Sequence, residues 1–413
     1  MFRLYCLGVL SLFLSGCAST SNSGDQALKT GIWRATLKYD EATLPFNFQV
    51  KEDSARGYDI IVMNARERLL LDEVFIDRDS VNIPLHIFDA SIRTVRRGDS
   101  LVGVFVKHYD AANKIPFVAV HGQDFRFAGK TADSPVRDFS GKYRVEFYNP
   151  KDTTHAIGVF LQKDDSVTGT FLTATGDYRY LQGNVINDTM HLSAFDGNHA
   201  YLFKAVFSAT NQLDGVFYSG KQSKKSWTGV KDDAAALPDA ESMTFLKPGY
   251  DRITFNFPDP NGKPVSPDDL KYKNKVLILQ IFGTWCPNCM DETRFLTSWY
   301  NENRHRGVEI IGLAYERHDD FKYASDRVKR MTSKLNVPYD FVIAGTNDKL
   351  KASESLPMLN RIVSFPTTIF IARDGTVKKI HTGFSGPGTG VYYEEFIQDF
   401  NATMDELLEQ PVN

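Results

Sequence analysis

The five residues Trp285-Cys286-Pro287-Asn288-Cys289 constrain this chain more than any other segment. They follow the apolar run Val276–Phe282 and Gly283-Thr284, and they precede a helix-compatible stretch over 290–301. A short apolar run bounded by turn residues reads as a buried strand. The order therefore predicts a strand that delivers a Cys-x-x-Cys to the start of a helix. The first cysteine then meets unpaired N–H groups and the positive end of the helix dipole, which favour a thiolate. The second lies one turn on, where it can attack a mixed disulfide from within the same molecule. Pro287 suits the first turn, because its missing N–H would have had no intrahelical acceptor there.

A Cys-x-x-Cys is also half of a zinc site, and structural zinc needs a second pair of ligands. The chain has four cysteines, Cys6, Cys17, Cys286 and Cys289, and no His-x-x-x-His pair. Two of the four lie in what reads as an export segment. Redox use is the favoured reading, and no metal is expected.

Met1-Phe2-Arg3 is a short basic start, and residues 4–14 are apolar. Such a core is too short for a membrane-spanning helix and right for a signal peptide. It ends in Leu14-Ser15-Gly16-Cys17, which resembles the bacterial lipobox. That resemblance implies cleavage before Cys17 and lipidation of Cys17. The division is a signal peptide over 1–16 and a tether over 17–29, rich in Ser and Thr. The expected location is the bacterial cell envelope, lipid-anchored and facing the periplasm. The mature chain would keep one thiol pair, in a compartment where thiols oxidise.

The remaining length exceeds what one core usually serves. Apolar residues are 42% and charged residues 24%, as in globular domains, and the net charge of −3 gives no footprint for nucleic acid. Residues 30–232 read as β-structure throughout, in short aromatic or β-branched segments bounded by Gly, Asn or Asp. They contain an internal repeat, 30–130 and 137–232. Gly31-Ile32-Trp33-Arg34 matches Gly141-Lys142-Tyr143-Arg144, and Gly57 matches Gly169. Asp79-Ser80 matches Asp188-Thr189, Phe88-Asp89 matches Phe195-Asp196, and 101–105 matches 213–217. A unit of about a hundred residues is too long for a solenoid repeat. It predicts a duplicated antiparallel unit, either two small barrels or two halves of a sandwich. No catalytic constellation stands out here. The histidines are scattered, and Trp33, Tyr143 and Trp227 read as core.

Residues 233–246 read as a linker, where β-alternation stops. Over 247–413 the pattern is α/β. It comprises a strand at 253–257, the Cys-x-x-Cys unit, a strand at 308–314, a helix at 319–335 and a strand at 339–343. A strand entered through Phe365-Pro366-Thr367 follows, then an Asp374-Gly375 hairpin and a helix at 392–408.

This course resembles the TlpA/ResA-like branch of the thioredoxin superfamily. The resemblance rests on Phe282-Gly283-Thr284-Trp285-Cys286-Pro287-Asn288-Cys289, on Glu292, and on Phe365-Pro366-Thr367. It implies a multi-domain protein, all-β then thioredoxin-like, that reduces disulfides of exported proteins, in some members apocytochrome c. It also implies Cys286 as attacking thiol, Cys289 as resolving thiol and Glu292 as the acid–base group. Trp285, Phe365 and a cis-proline at Pro366 would line the substrate groove. The chain departs from thioredoxin itself at Gln280, where thioredoxin has an Asp, and from the branch at Arg294, where a proline is common. Phe365 is expected to present apolar surface beside a solvent-accessible Cys286. A membrane electron-donor reductase is implied as partner. No Gly-x-Gly-x-x-Gly follows a strand, so no nicotinamide or flavin cofactor is expected. Two alternatives stay open: a disulfide oxidase or isomerase using the same site, and an envelope binding lipoprotein with a structural thioredoxin domain.

Overall fold

The computed structural model describes residues 27–411 except 86, 128–136, 150–151 and 222. The signal peptide, Cys6 and Cys17 lie outside the described residues.

The first β unit is a nine-stranded antiparallel meander from Gly31 to His121. Its opening strand, Gly31–Lys38, buries Trp33, Ala35 and Leu37 and turns the residues between them outward. That period of two lets one face fill a core. The strand pairs on one side with Thr43–Asp53 and on the other with Ile115–His121. Glu67–Leu71 and Phe75–Asp77 end the two flanks without pairing each other, so the sheet is a half-barrel.

The second unit begins with Gly141–Asn149, which pairs with Asp152–Lys163 and Ser223–Lys231. An added pairing between Asp152–Lys163 and Ser166–Thr173 closes this sheet into an eight-stranded barrel. Its core is aromatic. Phe171 packs against Phe147, Phe160, Phe203 and Trp227 at centroid distances of 4.6–5.3 Å. The matched sequence segments fall on corresponding strands: first on first (Gly31, Gly141), sixth on sixth (Ser80, Thr189), eighth on eighth (Leu101, Leu213). The difference lies in closure. The half-barrel fills its open side with Phe195, Ala200 and Leu202 of the barrel. Buried Arg126 pins the two together, donating to Ser193 and to Asn64 and Met63.

The C-terminal region is a five-stranded sheet flanked by helices. The strand order is Asp340–Thr346, Val308–Glu316, Val276–Phe282, Thr367–Ile371, Val377–Thr382. The first three run parallel and the last two antiparallel. Val276–Phe282 and Val308–Glu316 are buried at every position, which is why they read as continuous apolar runs rather than alternating ones. The helices are α1 (Pro287–Asn303), α2 (Phe321–Leu335), α3 (Lys349–Ser355) and α4 (Val391–Glu409). Asp320 caps α2 by accepting from the Tyr323 N–H, and Phe396, Phe400, Met404 and Leu407 form the buried stripe of α4.

One expectation is corrected. No strand forms over 253–256; Ile253 and Phe255 are buried in non-strand backbone, and only Phe257–Pro258 pairs, with Pro264–Val265. The stretch 233–246, read as a linker, is packed at points along its length. Ala235 packs on Ile157 and Leu172 of the barrel, Thr244 is fully buried, and Leu246 bridges to Leu359.

Candidate active site

Cys286 is the N-cap of α1 and Pro287 occupies its first turn. The Cys286 Sγ accepts from the Cys289 N–H at 3.2 Å, and the two cysteines are joined as a disulfide with Cα atoms 5.2 Å apart. Orphan N–H groups and the helix dipole therefore face the Cys286 sulfur, the arrangement that lowers a thiol pKa. Cys289 is fully buried.

The loop entering α1 is held by a buried carboxylate. Glu316 accepts from the backbone N–H and the hydroxyl of Thr284, at 2.8 and 2.9 Å. Burial pushes its carboxyl pKa up, and the two donors oppose that. Trp285 donates its indole N–H to the Tyr315 carbonyl at 2.8 Å and sets its ring edge-on to Phe365. Phe365-Pro366 is a cis peptide, and the Phe365 carbonyl oxygen lies 3.4 Å from the Cys286 sulfur.

Glu292 lies on α1 one turn beyond Cys289 and is almost fully buried. It accepts from Gln280 Nε2 at 2.8 Å and from the Thr368 hydroxyl at 2.7 Å. Burial lifts its pKa to about 7, and these two donors pull in the other direction. Gln280 also bonds Thr293 and comes within 3.5 Å of the Cys289 carbonyl oxygen. The amide thus holds the carboxyl, instead of an Asp holding a proton. A carboxyl poised near neutrality can give or take a proton at physiological pH. Arg294 is exposed and pairs with Asp291 at 3.1 Å.

The sequence pointed to none of the barrel residues that reach this site. Asn198 donates to the Trp285 carbonyl at 2.8 Å. Arg179 donates to the Pro287 carbonyl at 3.2 Å, and the Asn288 amide donates to the Asp177 carbonyl at 3.2 Å. Every residue of the motif other than the cysteines is bonded to the barrel. Arg179 also pairs with Glu67, Asp196 and Asp291, and these carboxylates keep its pKa high although burial alone would lower it. Asp291 belongs to α1, Glu67 to the half-barrel and Asp196 to the barrel, so one guanidinium joins three units.

Opposite the disulfide, the barrel turn at Ala174-Thr175 lies against the cis-proline loop. Ser364 donates its hydroxyl to the Thr175 carbonyl at 2.8 Å. Gly383 has φ +83°, and a Cβ there would stand 3.0 Å from the Ala174 carbonyl oxygen. A Cβ on Gly176, at φ +142°, would stand 2.9 Å from the Asn288 amide nitrogen. Both close approaches need glycine.

Two expectations change as a result. Cys286 is only 6% exposed, because the barrel covers it. Phe365 offers little free apolar surface, since it is packed between Trp285 and Tyr315 and only 8% exposed. Among the described residues no group of three or more His, Cys, Asp or Glu side chains is placed to hold a metal ion. No helix of the described residues is long and apolar enough to cross a membrane.

The Redoxin family model matches residues 235–394. Thiol-disulfide oxidoreductase ResA of Bacillus subtilis (strain 168) is 29% identical over 138 residues, covering 33% of this chain and 69% of the relative. Thiol:disulfide interchange protein DsbE of Vibrio cholerae serotype O1 is 28% identical over 116 residues, covering 28% of this chain and 54% of the relative. Among solved structures, a thioredoxin-family thiol:disulfide interchange protein from Chlorobium tepidum TLS is 23% identical, with a TM-score of 0.30, over 38% of this chain and 95% of that one. The C-terminal part of the chain has a thioredoxin-like fold, matches the Redoxin family model over residues 235–394 and is similar to ResA and DsbE thiol–disulfide oxidoreductases, and an extra β-rich region precedes it.

Proposed function

We propose that this protein is a membrane-anchored, exported thiol–disulfide oxidoreductase that reduces disulfides of other exported proteins. One observation carries the reading: a Cys286–Cys289 pair at the N-terminus of α1, facing the cis-proline loop, with a buried near-neutral carboxyl one turn away. The Cys286 thiolate attacks one sulfur of the substrate disulfide, and the other sulfur leaves as a thiolate. The Cys289 thiolate then attacks Cys286 Sγ. The second substrate thiolate is released, the Cys286–Cys289 bond forms, and two electrons have passed to the substrate. Glu292, buried one turn from Cys289 and held near neutrality, accepts the Cys289 proton, and Gln280 and Thr368 position its carboxyl. Unfolded apocytochrome c is one candidate substrate.

A membrane dithiol reductase restores the thiols from the periplasmic side, and lipid on Cys17 keeps the protein beside it. A single acyl chain binds a membrane only marginally, so firm anchoring calls for more than one.

The reducing direction is tested by titrating the thiol pair against glutathione. A midpoint near thioredoxin's roughly −270 mV supports it, and one near DsbA's roughly −120 mV contradicts it. Cys286→Ser should abolish reduction of insulin disulfides.

A further inference from the structure

The barrel does more than hold the motif. It faces the dithiol across a cavity of about 340 Å³, one wall of which is Trp285, Cys286, Asn288 and Phe365. The opposite wall is barrel: Tyr178, His199, Tyr201 and Lys225 among others. The Ser364–Thr175 and Asn288–Asp177 bonds tie the two walls together along the barrel turn. A second cavity of about 300 Å³ adjoins the first, sharing His199, Ser219 and Ser223, and extends to Lys107 and Lys221. Volumes of this size suit a small ligand or a few residues of extended chain. Only 6% of Cys286 is exposed where this cavity meets it, so a disulfide reaches the sulfur most readily on a narrow segment.

The charge of the passage is biased. Lys225 is half-buried and has no carboxylate partner among the described residues. Lys107 and Lys221 stand farther along, Lys221 within 3.9 Å of Asp40. Of the carboxylates lining the two cavities, Asp177 already accepts from the N–H groups of Arg179 and Gly386, which leaves Asp110. His199 is held by Asp196 at 3.1 Å and stacks on Tyr201. The barrel thus presents aromatic surface and unneutralised ammonium to whatever reaches Cys286.

We propose that this cavity is the substrate subsite of the dithiol, and that it takes a cysteine disulfide carried on a narrow, acidic peptide segment. The segment is a short free peptide or part of an unfolded chain. The inference rests on Cys286 being the attacking thiol. It assigns specificity to barrel residues, with Lys225 meeting a substrate carboxylate and Ser219 and Ser223 bordering the passage.

The test is single-turnover oxidation of the pre-reduced full-length protein, read by Trp285 fluorescence. The oxidants are two disulfide-linked cysteinyl peptides, one with Asp and one with Lys beside the cysteine, glutathione disulfide, and native folded ribonuclease A. Each rate is expressed relative to neutral 2-hydroxyethyl disulfide on the same variant. The acidic peptide should react about tenfold faster than the basic one, the order of effect that a charged, confined approach produces. Lys225→Glu should reverse that order, and Ser223→Trp, at an exposed position bordering both cavities, should slow both peptides. Native ribonuclease should not react. Glutathione disulfide matching the acidic peptide assigns the subsite to free peptides, and a rate far below it assigns the subsite to longer chains. Equal rates for the two peptides, or a ratio unmoved by Lys225→Glu, would overturn the subsite while leaving the dithiol reading intact. Failure to react even with 2-hydroxyethyl disulfide would overturn both.

Discussion

Glu292 is the residue whose chemistry depends most on where the fold places it. In an unfolded chain its carboxyl titrates near 4.3, whereas burial raises it to about 7 in the native protein. The native state therefore holds a proton that the unfolded state has lost. The stability this lends is fully present below the unfolded pKa and is lost as pH rises through the folded one. The shift corresponds to about 3 kcal/mol between pH 4 and pH 8. Glu292→Gln keeps a neutral, hydrogen-bonding side chain at every pH and should remove this slope. Urea melts of both proteins at pH 5 and pH 8 measure it, and an unchanged slope would assign the pH dependence elsewhere. The same variant should slow disulfide reduction by about a hundredfold, within the range of general acid–base effects, because Cys289 loses its proton acceptor. Cys286→Ser and Glu292→Gln would then differ in kind: the first forms no mixed disulfide, and the second forms it and resolves it slowly.

At the scale of elements, the contact that matters is the barrel's grip on the start of α1. Arg179 is almost fully buried and paired with Glu67, Asp196 and Asp291. Arg179→Gln would leave three carboxylates without their cation and should cost about 3–5 kcal/mol, the usual effect of breaking a buried ion pair. A loss below about 1 kcal/mol in chemical denaturation would place the pairs in the weak surface class. Asn198→Ala removes one hydrogen bond, to Trp285, and should cost about 1 kcal/mol while speeding alkylation of Cys286 by loosening its cover. The C-terminal elements were legible because their apolar periods are strong: the all-buried Val276–Phe282, the stripe of α4, the Asp374-Gly375 turn. The seven-residue α3 was not, since it buries only Ala352 and carries no apolar stripe. The duplication of the β units was foreshadowed by the repeat. Closure of one unit and not the other was not, because it depends on whether Glu67–Leu71 and Phe75–Asp77 pair, a long-range event without local signature. The barrel's share of the active site was equally hidden. Arg179, Asp177 and Asn198 lie far from the motif in sequence, and only docking of the units brings them to it.

At the scale of the whole molecule, three large cores share residues across their boundaries. Ile87 and Phe88 of the half-barrel join the C-terminal core, and Phe195 of the barrel joins the half-barrel core. Around them Glu73 pairs with Arg330, Asp72 with Lys334, and Tyr323 donates to Asp89. These interfaces are expected to couple the unfolding of the units. A calorimetric scan of the full chain should show one transition, and two resolved transitions would mean that the interfaces contribute little. Beyond the described residues, Cys17→Ser should release the protein from the membrane fraction if lipid is its anchor. The account as a whole stands on Cys286 being the attacking sulfur despite its cover. The direct measurement is mass-spectrometric mapping of the mixed disulfides that accumulate on a Cys289→Ala variant in cells. The expected result is adducts joined through Cys286 to cysteines of exported proteins in unfolded or flexible segments. A variant that collects no adducts, while its Cys286 is free and reduced, would contradict the assignment of this site as a thiol–disulfide exchange centre.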